Sequence, residues 1–295
     1  MKKNIIKSTD PEFEPFLRNM IEKEVYERLG VILSEGVRYD ASTDTFSFDF
    51  ERDDKTDIIN LTKVGYKISA FGHCFYYAYE FSDDVNSEDR TAFIHSIKFP
   101  DGKISEPDKK KFITNAVNCL DKEISLPSYD LLIYPQSISE LNRDMVSYLN
   151  RIAQPNIVSM EMVKTLPSKI EFDYDRFDYE VLQAKMGSGR PRYTQAQKEQ
   201  VLKNIESMMN SIHSLDYFSI ARDVKKTKYR QFIKNYYKFK NENDKKLYES
   251  IMNSNVLIID DIATSGTTIS HLLKCLRSVN DTNNIVVFSL IGKNI

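Results

Sequence analysis

The stretch "NVLIIDDIATSGTTISHLL", Asn255 to Leu273, decides the fold. Its apolar run Val256–Ile259 is short and unbroken, as a strand covered on both faces requires. Two aspartates, Asp260 and Asp261, follow directly. Then come small and hydroxylated residues, and "TTISHLLKCLRSV" has the apolar spacing of a helix. A strand, a polar loop and a helix in this order make a βα unit. In parallel sheets ligands bind beyond the carboxyl ends of the strands. This reading places the aspartate pair at such an end.

The same rhythm recurs on either side. "SEPDKKKFITNAVNCLDKEI" is helical, with Phe112, Ile113, Ala116, Val117 and Leu120 on one face. "YDLLIYP" is a short buried strand ending at Pro135, and "SISELNRDMVSYLNRI" is a helix with Leu141, Met145, Leu149 and Ile152 in register. "NIVSMEMV" and the closing "NNIVVFSLIG" are further strands. Short apolar strands alternating with helices predict a parallel α/β sheet over residues 104–295.

Residues 1–103 read differently. Asp10 to Gly30 predicts an amphipathic helix, with Asp10 as cap, Pro11 in the first turn and Gly30 as stop. "VRYDASTDTFSFDFE", "YKISAF", "CFYYAYEF" and "TAFIHSIKF" read as an antiparallel meander, closed by the turn "PDG" at Pro100–Gly102. The expected organisation is an N-terminal α+β extension over 1–103 and an α/β domain over 104–295.

A long insertion, about 165–250, reads as irregular. Between positions 185 and 246 it holds fifteen Lys/Arg against six Asp/Glu, although the whole chain carries a formal charge of -2. That asymmetry fits a solvated helical face, a cationic lid over an anionic ligand, or a nucleic-acid surface. The apolar runs are too short to span a bilayer, and no secretory signal is seen, so a cytoplasmic protein is expected. Cys74, Cys119 and Cys275 lie far apart, which speaks against a disulfide framework or a cysteine zinc site.

The chemistry concentrates at "DDIATSGTT". Successive backbone N–H groups leading into a helix make a phosphate site, and Gly266 lets the backbone approach. No lysine follows the glycine, so this is not the Walker-type loop. Two carboxylates beside a phosphate cradle suit a ligand that also carries hydroxyls or magnesium, such as a sugar phosphate.

Val256 to Thr268 resembles the motif with which type I phosphoribosyltransferases bind 5-phosphoribosyl 1-diphosphate (PRPP). The resemblance implies a phosphoribosyltransferase-like parallel-sheet core with an N-terminal α+β extension. It also implies transfer of phosphoribosyl to a nitrogenous acceptor with release of pyrophosphate. Asp260 and Asp261 would hold the ribose hydroxyls and meet Mg2+ through Mg–PRPP. Ala263, Thr264, Ser265, Gly266 and Thr267 would wrap the 5′-phosphate, and Thr268 would start the helix. Thr264 stands where purine-salvage members carry an aspartate, which speaks against that branch. "YPQSISELN" resembles the family's pyrophosphate loop in outline, with Gln136, Ser137, Ser139 and Asn142, and Arg143 just behind. That loop has no cation of its own. Arg230, Lys228, Lys164, Arg190 and Arg192 are candidates to supply one. A non-catalytic PRPP-fold regulator, a nucleic-acid binder through 185–246, and an effector of a bacterial defence system stand as alternatives. A homo-oligomer is compatible with all of them.

Overall fold

The computed structural model describes residues 35–40, 43–52, 65–68, 74–81, 87–99, 101–124, 126–137, 139–152, 157–185, 189–263 and 266–292. The helix expected over Asp10–Gly30 lies outside them. In chain order come β1 (Glu35–Asp40), β2 (Thr45–Arg52), β3 (Gly65–Ile68), β4 (Cys74–Glu80), α1 (Ser87–Lys98), α2 (Glu106–Ile124), β5 (Leu131–Pro135), α3 (Leu141–Ile152) and β6 (Val158–Lys164). Next are β7 (Glu171–Phe172), α4 (Tyr174–Phe177), α5 (Gln195–His213), α6 (Ile220–Asp223), α7 (Thr227–Arg230), β8 (Ile233–Lys234), β9 (Tyr237–Phe239) and α8 (Glu242–Ser250). The chain closes with β10 (Asn255–Ala263), α9 (Thr267–Val279) and β11 (Asn284–Gly292).

The centre is a seven-stranded sheet in the order β3-β4-β11-β10-β5-β6-β9. Strands β4, β11, β10, β5 and β6 run parallel, and antiparallel β3 and β9 close the two edges. This is a mixed α/β fold with a mostly parallel sheet. Its central strands are covered on both faces. Leu131, Ile133, Val256 and Ile258 pack to one side; Leu132, Leu257 and Ile259 pack to the other. That two-sided burial is why the sequence shows unbroken apolar runs rather than alternation.

Three expectations are corrected. "TAFIHSIKF" is not a strand but the greater part of α1, which buries Phe93 and Ile97 one turn apart. Thr91 donates to the Ser87 carbonyl at 2.7 Å within it. The alternating Phe93, His95, Ile97 and Phe99 mimic a strand, but "SEDR" at Ser87–Arg90 is a helix start. Nor do the strands before residue 103 form a separate meander. Only β1 and β2 stand apart as a hairpin; β4 pairs in parallel with β11, from Val286↔Cys74 to Gly292↔Glu80. The central sheet therefore crosses the expected division.

The insertion is not irregular either. β7 and β8 pair, and Phe172, Phe177, Tyr229 and Phe232 interlock with ring centroids 5.1 to 6.4 Å apart. Phe177, Leu182 and Ile205 are fully buried. This layer shares one core with α9 and the sheet face carrying Val256 and Ile258. Helices α1, α2 and α3 cover the opposite face.

Candidate functional site

Strand order and helix placement locate a crevice. From β5 the chain crosses through α3 to β6 in one direction along the sheet; from β10 it crosses through α9 to β11 in the other. The two helices lie on opposite faces, α3 against Leu257 and Ile259, α9 against Val256 and Ile258. The reversal between β5 and β10 is the topological switch point at which such sheets bind ligands. Pairing of β10 with β5 stops at Ile258↔Ile133, while pairing with β11 runs on to Ala263↔Gly292.

The aspartate pair sits where β10 has left β5 but still pairs with β11. It is therefore inside the strand, not at its end as the sequence reading had it. Both residues are buried, at 4% and 5% exposure. Because neighbours on a strand face opposite ways, Asp260 follows the Val256–Ile258 face and Asp261 the Leu257–Ile259 face. The Asp261 Oδ2 atom takes Lys98 Nζ at 2.8 Å and a hydrogen bond from Ser139 Oγ at 3.3 Å. The Asp260 Oδ1 atom accepts from the Asp261 peptide N–H at 3.1 Å. Its Oδ2 atom is buried and has no hydrogen-bond partner among the described residues. Burial first, and then the Asp261 charge, push the Asp260 carboxyl up to about 8 against the pull of Lys98 and the peptide N–H. Tyr237 of β9 also feels the Asp260 charge; burial raises its phenol strongly, and it shares a hydrogen bond with the Thr268 side chain.

Opposite the aspartates, the loop after β5 is pinned to the scaffold. The Gln136 N–H donates to the Met162 carbonyl at 2.6 Å. Ser137 Oγ lies 3.2 Å from Ser139 Oγ and accepts from the Ser139 N–H at 3.3 Å. Asn142 Nδ2 donates to the Pro135 carbonyl at 3.0 Å, which leaves its buried Oδ1 unpartnered among the described residues. At the far side Ala263 ends β10. Gly266 then takes φ 64°, a left-handed conformation suited to glycine, as the cap of α9. Thr267 and Thr268 lie half-buried in the first helical turn. Thr264 and Ser265 are outside the described residues.

The expected cations separate into two groups. Arg143 is held by Glu140 at 3.0 Å and Glu161 at 3.3 Å. Arg230 donates to the carbonyls of Val224 at 3.0 Å and Ala221 at 2.7 Å. Both guanidinium groups are thus turned to structural partners. The Arg230 carbonyl accepts from His271 Nε2 at 3.0 Å. Burial holds that imidazole neutral, lowered to about 4. Lys228 lies over the Tyr229 ring and Arg192 over Tyr193, while Arg190 is exposed. Lys164 is different. It shares a cavity of about 310 Å³ with Gln136, Ser137, Asp216 and Tyr217, and it donates to the Tyr217 hydroxyl.

Lys98 was not foreseen. In the sequence it stands between apolar residues in what resembles a strand, and its partner Asp261 lies far along the chain. No local pattern marks it. Among the described residues no group of three or more His, Cys, Asp or Glu is placed to hold a metal ion. No described helix is long and apolar enough to cross a membrane.

No family model matches the chain, and no curated protein matches it. Among solved structures it is similar to a hypoxanthine phosphoribosyltransferase from Staphylococcus aureus, at 13% identity and a TM-score of 0.32. The match covers 63% of this chain and 65% of that one, so less than two thirds of that protein's length is spanned. A likeness of this size assigns no residue a role.

Proposed function

We propose that the switch-point crevice binds PRPP, or another ligand with a ribose 5-phosphate group, and that the chain transfers phosphoribosyl to a nitrogenous acceptor with release of pyrophosphate. The observation that supports this best is the unpartnered Asp260 Oδ2, buried in the crevice. A buried polar atom left unpaired costs about 1–3 kcal/mol, and a ligand hydroxyl relieves that cost. Beside it, the N-terminus of α9 carries the positive end of the helix dipole, which favours a phosphate. One ligand carrying both hydroxyls and a phosphate satisfies the two features together.

In this reading Asp260 and Asp261 hold the ribose hydroxyls. Residues 263–268 hold the 5′-phosphate, and the Gln136–Ser139 loop faces the diphosphate. Magnesium fits as a companion of the diphosphate rather than as an ion held in a protein cage, because Asp261 is already engaged by Lys98 and Ser139. It would neutralise charge on the leaving group. The residues' own work is to fix the sugar in place for attack at C1.

The test is pyrophosphate release from PRPP over a panel of nitrogenous bases, with Asp260→Asn and Asp261→Asn as controls. Release that both variants abolish supports the reading; absence of both release and PRPP binding refutes it. One observation favours a second reading, a PRPP-fold regulator without turnover: Arg143 and Arg230 are both committed elsewhere. PRPP binding without release under any acceptor would select it. Steeply salt-dependent nucleic-acid binding would assign the basic segment that partner.

A further inference from the structure

The crevice has a cation that the resemblance to phosphoribosyltransferases does not cover. Lys98 ends α1, ahead of residue 104. The helix is fixed by Phe93 and Ile97, which are buried against α2 and the sheet. The side chain thus projects from a rigid element, as a precisely built site needs. Its ammonium reaches Asp261 Oδ2 at 2.8 Å and keeps about a quarter of the side chain exposed (23%). An ammonium has three N–H donors, and the Asp261 contact is the one polar contact found for Lys98 among the described residues. Two donors therefore remain for a ligand.

The position is telling. Ser139 Oγ and Lys98 Nζ meet on the same carboxylate oxygen, so Lys98 stands beside the Ser137–Ser139 loop. That loop has hydroxyls and peptide N–H groups but no positive charge. Arg143, the nearest cation in sequence, is held by Glu140 and by Glu161 of β6. A diphosphate at this loop would otherwise face two aspartates with no positive charge supplied by the loop itself.

We infer that Lys98 is a substrate-binding residue that donates to the diphosphate of the ligand while remaining bridged to Asp261. This rests on the PRPP reading above. The ammonium then ties the two halves of the site together, since one group touches both the acid that holds the ribose and the group that leaves. A role limited to orienting Asp261 makes a different prediction, because it would affect ribose binding as strongly as diphosphate binding.

The experiment compares Kd values for magnesium-PRPP and for ribose 5-phosphate by calorimetry, in the full chain and in Lys98→Met and Lys98→Arg. Circular dichroism checks that each variant is folded. Loss of a charge-assisted hydrogen bond to phosphate is expected to weaken PRPP by about tenfold or more in Lys98→Met. Ribose 5-phosphate should change several-fold less, and Lys98→Arg should restore most of the PRPP affinity. Equal weakening of both ligands, or no weakening of PRPP, overturns the inference while leaving PRPP binding intact. If the unaltered protein binds neither ligand, the PRPP reading itself fails, and the inference with it.

Discussion

Replacing Asp260 by Asn should change stability in a way that depends on pH, and the size follows from the site. The Asp260 carboxyl is buried beside a second carboxylate and is raised from an ordinary 3.8 to about 8. In the unfolded chain it loses its proton near pH 4; in the folded chain it keeps it. The folded state therefore binds more protons between those limits, and stability falls as pH rises through that window. The slope is about 1.4 kcal/mol per pH unit for one proton. Asparagine has nearly the same shape and never ionises. The stability difference, Asp260→Asn minus the unaltered protein, should therefore grow in favour of the variant by roughly 3 kcal/mol from pH 5 to pH 7. Urea unfolding followed by far-ultraviolet circular dichroism measures this, since the chain has no tryptophan to report by fluorescence. A difference that stays constant with pH would show that the carboxyl is already ionised in the fold. Burial in the crevice would then not be raising its pKa.

Other perturbations test other parts of the account. Phe177→Ala removes a fully buried ring from the aromatic cluster of the insertion and should cost about 3–5 kcal/mol in urea unfolding; a cost below 1 kcal/mol would mean the segment is not part of the core. Gly292→Ala brings a methyl group to 2.4 Å from Tyr77 Cγ, closer than real contacts allow, and should lower stability by about 1–3 kcal/mol in the same assay. His271 is neutral in the fold and lowered from 6.5 to about 4, so the folded state binds fewer protons between those values and stability is lost as pH falls through them. His271→Gln, which keeps a donor for the Arg230 carbonyl, should flatten that acid limb. An unchanged limb would place the titration elsewhere.

What the sequence revealed depended on how local the cause was. Strands β5, β6, β10 and β11 and helices α2, α3 and α9 are written in continuous apolar runs and helical spacing, and they lie where those patterns put them. Membership in the sheet is a different matter. Nothing in "CFYYAYE" says that it pairs with β11 rather than with a neighbour in sequence, because that choice is made by contacts across most of the chain. α1 was hidden by a chance alternation of aromatic and polar residues. Much of the insertion looked irregular because its aromatic cluster is gathered from short elements that show no period, although α5, with Ile205, Met209 and Ile212 buried at helical spacing, does carry one. In the site, the aspartate pair and the Gly266 loop were legible from a single contiguous motif. The divergence of the two carboxylates follows from strand alternation once β10 is seen to continue through them. The engagement of Arg143 and Arg230, and the arrival of Lys98, were not legible, since each is fixed by tertiary partners.

The central claim is that the crevice between β5 and β10 holds a ribose 5-phosphate group. A crystal structure of the chain with magnesium and PRPP tests it most directly. The 5′-phosphate is expected on residues 263–268 at the start of α9, with a ribose hydroxyl within hydrogen-bond distance of Asp260 Oδ2. A phosphate bound elsewhere on the molecule, with Asp260 Oδ2 still unpartnered, would contradict it.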